Sequence, residues 1–202
     1  MKLFSLDELT KPTQEVPGDK SAKLRDTFLN QHERKVITLK ELIGKLPGEN
    51  EFIAIWTLKS FNAFTFIPWL IKELGIIENL AISTYTINRR IIDSLIKKID
   101  QGKILNVTLF ISDSLKFRMP KAVDHLASLV SQRDNIKVNY AWNHSKITLV
   151  NTADHYFVIE GSGNWSKNAQ YEQYIFFNNE KLYNFRLNCI TNDLQPGTNS
   201  SN

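Results

Sequence analysis

The amino-acid sequence predicts an α/β domain built on a mixed, largely parallel sheet with helices on both faces. Three observations predict it. Short runs rich in strand formers alternate with helical segments between residues 52 and 140. One helical segment carries Ile91, Ile92, Leu95, Ile96 and Ile99 on a single face. Beyond Ser145 the alternation gives way to two apolar runs, Lys146–Val150 and Tyr156–Ile159, separated only by Asn151-Thr152-Ala153-Asp154-His155, which is hairpin spacing.

The elements follow in order. Residues 1–48 are polar, weakly periodic and broken by Pro12, Pro17 and Gly18, and are expected to form an extension with short helices. One helix is expected over Ser21–Arg34. A second opens at Thr38, with Glu41 three positions on as a capping box, and stops by Pro47-Gly48. The ordered domain, residues 49–190, begins with the apolar run Phe52–Thr57, a strand. Phe64–Leu74 reads as a helix stopped by Gly75, and Asn79–Tyr85 as the next strand. Asn88 can cap the helix that Gly102 ends. Asn106–Ile111 is a third strand, Pro120–Ser131 a helix, Lys137–Tyr140 a fourth strand. After the hairpin comes one more strand, Tyr174–Phe177. Residues 191–202 are poor in hydrophobics and expected to be disordered.

Composition narrows the classes of function. At 202 residues, with 42% hydrophobic and 23% charged side chains, the chain can bury one substantial core. A net charge of +4 favours polyanionic partners, although a solvated basic surface explains it equally. The single cysteine, Cys189, excludes an intrachain disulfide framework and is read as structural. The N-terminus lacks a signal-peptide pattern, and the most apolar stretch, Phe61–Ile77, is interrupted by Asn62, Pro68, Lys72, Glu73 and Gly75. A cytoplasmic protein without stable membrane insertion is the expectation. No cysteine or carboxylate cluster suggests a metal, and no cofactor is expected.

The chemistry concentrates between Asn143 and Gln173. His144-Ser145-Lys146 is followed by the hairpin and then by Gly161-Ser162-Gly163-Asn164, with Glu172 eight residues beyond Asn164. Period-two alternation would place His144 and Lys146 on one face of a strand. The hairpin would return the glycine-flanked Ser162 and Asn164 to the same spot. An imidazole, a cation, a hydroxyl and an amide are what binding and attacking a phosphate require. Each also has an ordinary explanation: Lys146 as a surface lysine, Ser162 and Asn164 as turn residues, Glu172 as a surface acid. His155 is expected to be exposed, and His32 and His125 to lack partners.

These residues resemble the motif of the phospholipase D superfamily: His-x-Lys, four residues, Asp, about six residues, Gly-Ser-x-Asn, and often a Glu some eight to eleven residues later. The order of strands and helices from about Phe52 to Phe185 resembles the layered α/β fold of that family. At the strict spacing the acid's place falls on Asn151, and counting back from Gly161 it falls on Asp154.

The resemblance implies that residues 49–190 form a phospholipase D-like catalytic domain. His144, Lys146 and Glu172 would then be catalytic, and Lys146, Ser162 and Asn164 phosphate-binding, with Gly161 and either Asp154 or Asn151 as support. It implies a metal-independent phosphodiesterase working through a covalent phosphohistidine. Because the chain holds one copy of a motif that the family uses in pairs, it also implies a homodimer. Glu172 would bond one imidazole nitrogen and fix the tautomer. Eight basic against three acidic residues from Thr86 to Lys121 favour nucleic acid as substrate, hence a nuclease. The alternatives are a non-catalytic nucleic-acid-binding relative and a phospholipid phosphodiesterase or transferase.

Overall fold

The computed structural model describes residues 34–57, 62–166 and 171–192. The chain divides after Arg34 into two compact units, the second being Lys35–Asn202. Of the helix expected over Ser21–Arg34, residues 21–33, His32 among them, lie outside the described residues; so does the expected disordered tail 191–202 from residue 193 on, while residues 191–192 are helical. Helix α1 (34–43) leads to β1 (Phe52–Thr57). A 3-10 turn at Ala63–Thr65 runs into α2 (Phe66–Leu74), followed by β2 (Ile77–Thr84) and α3 (Arg89–Asp100). Then come β3 (Ile104–Ser112), α4 (Leu115–Arg118), α5 (Pro120–Val130) and β4 (Ile136–Ala141). The chain finishes with β5 (Ile147–Asn151), β6 (Tyr156–Gly161), β7 (Glu172–Asn178) and α6 (Glu180–Asn192).

The described strands form one seven-stranded sheet in the order β1-β7-β6-β5-β2-β3-β4. Only β2–β3 and β3–β4 pair in parallel, linked through α3 and through α4–α5. The pairs β2–β5, β5–β6, β6–β7 and β1–β7 are antiparallel. The sheet is therefore mixed but not largely parallel. The reason is local. After β4 the connections are too short for a crossover, so β5 can only enter beside β2 in reverse and hairpin onward.

Helices cover both faces, as the alternation predicts. One layer buries Val36, Leu39 and Ile43 of α1, Trp69 and Leu70 of α2, Ile92 and Leu95 of α3 and Leu126 of α5 against Leu80, Ile82, Leu109, Ile111 and Phe176. Each such side chain contributes roughly 1.5–3 kcal/mol of burial. The opposite layer is smaller: Tyr183 and Ile190 of α6 lie on Ala81, Phe110, Leu149 and Val158. Asn88 caps α3 by accepting from Ile91 N at 3.1 Å, and Gly75 closes α2 at φ +90.

Helix α6 is the element that pattern reading passes over. Its apolar residues are weakly periodic, although Asn179 followed by Glu180 is an N-cap signature, and Leu182 N does donate to Asn179 Oδ1 at 2.7 Å. Arg186 anchors it by a bidentate pair with Glu160 of β6 at 2.5 and 3.0 Å. Cys189, on this helix, is exposed and not part of a core. His125 is not alone either, since its Nε2 meets Asp93 at 2.5 Å between α5 and α3. His155 is half-buried, its ring packed edge-on against Phe157. Among the described residues no helix is long and apolar enough to cross a membrane.

Candidate active site

The candidate residues gather at one end of the sheet, where β2, β3, β4 and β6 finish and β5 and β7 begin. The first segment is the loop from β4 to β5. Asn143 is buried and shapes it: Nδ2 donates to Ser83 Oγ at 2.9 Å and to the Phe110 carbonyl at 3.1 Å. Its Oδ1 accepts from Ser145 N at 2.9 Å and from Ser145 Oγ at 2.8 Å. This Asx turn pushes His144 out to solvent. His144 and Lys146 thus lie before the strand and not on one strand face. They meet because the turn folds Lys146 Nζ back to the His144 carbonyl at 2.7 Å and to Nδ1 at 3.3 Å.

The second segment arrives by the hairpin. Ile147 pairs with Glu160, and Gly161 N reaches the Lys146 carbonyl at 3.3 Å, which sets the start of Gly161-Ser162-Gly163-Asn164 beside Lys146. Gly161 is required by closeness to β7: a Cβ there would lie 2.1 Å from the Gln173 carbonyl oxygen and 2.8 Å from Tyr174 Cδ1. Ser162 is clasped at three points. Its N–H donates to the Gln173 carbonyl at 3.1 Å, its Oγ accepts from Gln173 N at 3.0 Å, and its hydroxyl donates to Glu172 Oε2. Beyond it, Trp165 is buried, donating from Nε1 to Thr148 Oγ1 at 3.0 Å and from its backbone N–H to Thr84 Oγ1 at 3.3 Å. Those bonds lay residues 162–166 across the ends of β2 and β5. Asn164 is half-buried, and its Oδ1 has no hydrogen-bond partner among the described residues.

Glu172 is the first residue of β7. Its carboxylate holds the Ser162 hydroxyl and acts on Lys146, while the His144 imidazole faces Lys146 instead. Asn151 and Asp154 stand at the other end of the hairpin, a five-residue strand or about 16 Å from Lys146. Asn151 accepts from Asn79 Nδ2 at 2.9 Å and donates to the Thr152 carbonyl at 2.9 Å, joining β2 to the turn. Asp154 is exposed. Neither touches the cluster.

Motif reading missed Tyr85 and underused Arg118. The Tyr85 ring packs on His144 with centroids 4.7 Å apart and lies 5.9 Å from Lys146 Nζ. Arg118 also lies over that ring, its Cζ 4.1 Å from the centroid, and donates to the Tyr85 carbonyl at 3.1 Å. Neither is near His144 in sequence, so spacing held no signal for them. Asn143, directly before the histidine, did carry one, as an Asx turn former.

Burial pushes the Lys146 ammonium below the ordinary lysine range, and the Glu172 carboxylate, followed by Tyr85, pulls it partly back. A lowered pKa means that Lys146 gives up its charge at lower pH than a free lysine. If the charge binds phosphate, activity falls as pH rises through that value. Glu172→Gln removes the larger of the two opposing effects, so the alkaline limb of kcat/KM should move to still lower pH. A pH–rate profile of both proteins checks this, and an unmoved limb would assign it to another group.

The structure thus defines a mixed α/β domain with an imidazole, an ammonium, a hydroxyl, a carboxylate and a stacked guanidinium clustered at the carboxyl ends of its parallel strands. Among the described residues, no group of three or more His, Cys, Asp or Glu side chains is arranged to hold a metal ion.

No family profile matches the chain, and no curated protein matches it in sequence. Among solved structures it is similar to polyphosphate kinase from Porphyromonas gingivalis, at 15% identity and a TM-score of 0.49, over 75% of this chain and 27% of that one. It is also similar to phosphatidylserine synthase from Haemophilus influenzae Rd KW20, at 11% identity and a TM-score of 0.48, over 75% of this chain and 40% of that one. The chain spans about a quarter of the first and two-fifths of the second.

Proposed function

We propose that this chain is a phosphodiesterase of the phospholipase D type, acting on DNA or RNA through a covalent phosphohistidine at a site shared by two copies. One observation carries the reading: the loop after β4, the end of β6 and the start of β7 bring His144, Lys146, Ser162 and Glu172 to one end of the sheet. A neutral His144 attacks phosphorus, forming an N–P bond as the P–O bond to the leaving group breaks. The His144 of a second copy gives that oxygen its proton. Water then attacks the phosphohistidine, handing a proton to the same second histidine, and the N–P bond breaks. Lys146 and the Asn164 amide stabilise the charge on the non-bridging oxygens, joined by Ser162 when its hydroxyl turns from Glu172 to the phosphate. Glu172 positions Ser162 and sustains the Lys146 charge.

The balance of eight basic to three acidic residues from Thr86 to Lys121 supports a nucleic-acid substrate. Hydrolysis of bis(p-nitrophenyl) phosphate tests the chemistry. The rate should be unchanged in excess EDTA, and loss in EDTA with recovery on adding magnesium would refute the mechanism. DNA, RNA and phosphatidylcholine, compared at equal enzyme, then test the substrate class, and preference for the phospholipid would reject the nuclease reading.

A further inference from the structure

We propose that Trp142 and Phe117 form a stacking platform for unpaired nucleobases beside His144, which makes single-stranded nucleic acid the preferred ligand. For what happens at His144 this rests on the phosphodiesterase reading; the binding itself does not need it. Trp142 follows β4 directly, two residues before His144, and is 92% exposed. Phe117, on α4, is 86% exposed. Neither side chain contributes to a core, so packing within the chain does not account for two large aromatic groups at this end of the sheet.

Their surroundings indicate the occupant. A cavity of about 300 Å³ is lined by Tyr85, Ser112, Ser114, Trp142, Asn143 and His144. It therefore adjoins both the exposed indole and the candidate nucleophile. In sequence Phe117 stands between Lys116 and Arg118, each held over a tyrosine ring: Lys116 Nζ is 4.7 Å from the centre of the Tyr140 ring, and Arg118 stacks on Tyr85. Aromatic faces interleaved with cations match a chain of bases on a phosphate backbone. Paired bases keep their faces inside the duplex, so only an unpaired base can lie flat on Trp142. An acyl chain would leave the cations of Lys116 and Arg118 without an anionic partner, which a phosphate backbone supplies.

Fluorescence anisotropy with a labelled oligonucleotide tests this in the full chain. Four probes are used: single-stranded DNA, single-stranded RNA, the complementary duplex, and a strand with abasic sites through its middle. Wild-type protein should bind a normal single strand about tenfold more tightly than the abasic strand or the duplex, and the DNA and RNA arms identify the sugar. Trp142→Ala should bind normal and abasic strands alike, and Trp142→Phe should restore most of the difference. An unchanged melting temperature confirms that the variants fold. The proposal is overturned if wild-type protein does not distinguish normal from abasic strands, or if Trp142→Ala still does. It is equally overturned if Trp142→Ala and Phe117→Ala abolish binding to phosphatidylglycerol vesicles and leave oligonucleotide binding intact. Discrimination without hydrolysis of any phosphodiester keeps the platform and removes the phosphodiesterase reading, while hydrolysis without discrimination does the reverse.

Discussion

A mixed dimer of one wild-type chain and one tagged His144→Ala chain should turn over far below half the wild-type rate, and the His144→Ala homodimer should lose about 10⁴-fold or more in kcat. One imidazole cannot hold the phosphoryl group and protonate the leaving oxygen in the same step. The described site contains one such group, since His125 is paired with Asp93 and His155 packs on Phe157 at the far end of the hairpin. His144 is exposed and held out by the Asn143 turn, which suits the proposed meeting with a second copy. Because it is exposed and its ring contact is with Tyr85, the substitution removes little packing, so the variant should melt within a few degrees of the wild type. Mixed dimers isolated by tag and assayed on bis(p-nitrophenyl) phosphate decide the matter. Half activity in the mixed dimer, or full activity in a sedimenting monomer, would show that each chain works alone.

Gly161→Ala should lower stability by about 3 kcal/mol and abolish activity together, without touching a charged group of the site. The added methyl would meet a backbone carbonyl at 2.1 Å, and a carbonyl in a paired strand cannot turn aside as a flexible side chain can. To make room, β6 and β7 must separate at the point where Gln173 holds Ser162 and Glu172 takes its hydroxyl. For a domain of this size the loss corresponds to a fall of roughly 6–12 °C in Tm. Thermal melting followed by circular dichroism, with bis(p-nitrophenyl) phosphate hydrolysis measured at a temperature where the variant is folded, separates the two effects. Wild-type melting would show that the strands yield without cost and that the close approach is unimportant.

How far the sequence could be read depended on the range of the interactions involved. Strands β1 to β4 and helices α2, α3 and α5 were legible because apolar periodicity and capping act between residues a few positions apart. Asn88, Gly75 and the Ile91–Ile99 stripe carry that information in place. The weak pattern of α6 was not, since its apolar packing rests on Leu182, Tyr183, Leu187 and Ile190 amid polar residues, and its anchor, Arg186 to Glu160, spans 26 positions. The sheet's pairing was misjudged for the same reason. Whether β5 joins the edge at β4 or inserts beside β2 depends on contacts such as Ala81 with Leu149, which alternation cannot express.

At the site the division is similar. By itself the sequence determined which chemical groups are available, His144, Lys146, Ser162, Asn164 and Glu172, and that a hairpin returns the glycine-flanked pair toward the histidine. It could not determine what each group touches. Only the tertiary structure decided that an Asx turn at Asn143 aims the imidazole, that Glu172 serves Ser162 and Lys146, and that Tyr85 and Arg118 stack beside His144. Only it decided that Asn151 and Asp154 stand a strand's length away. Residue types and short spacings are local properties of a chain, whereas side-chain partners are chosen by packing between segments dozens of residues apart, where a rotation of a few degrees changes the acceptor within reach.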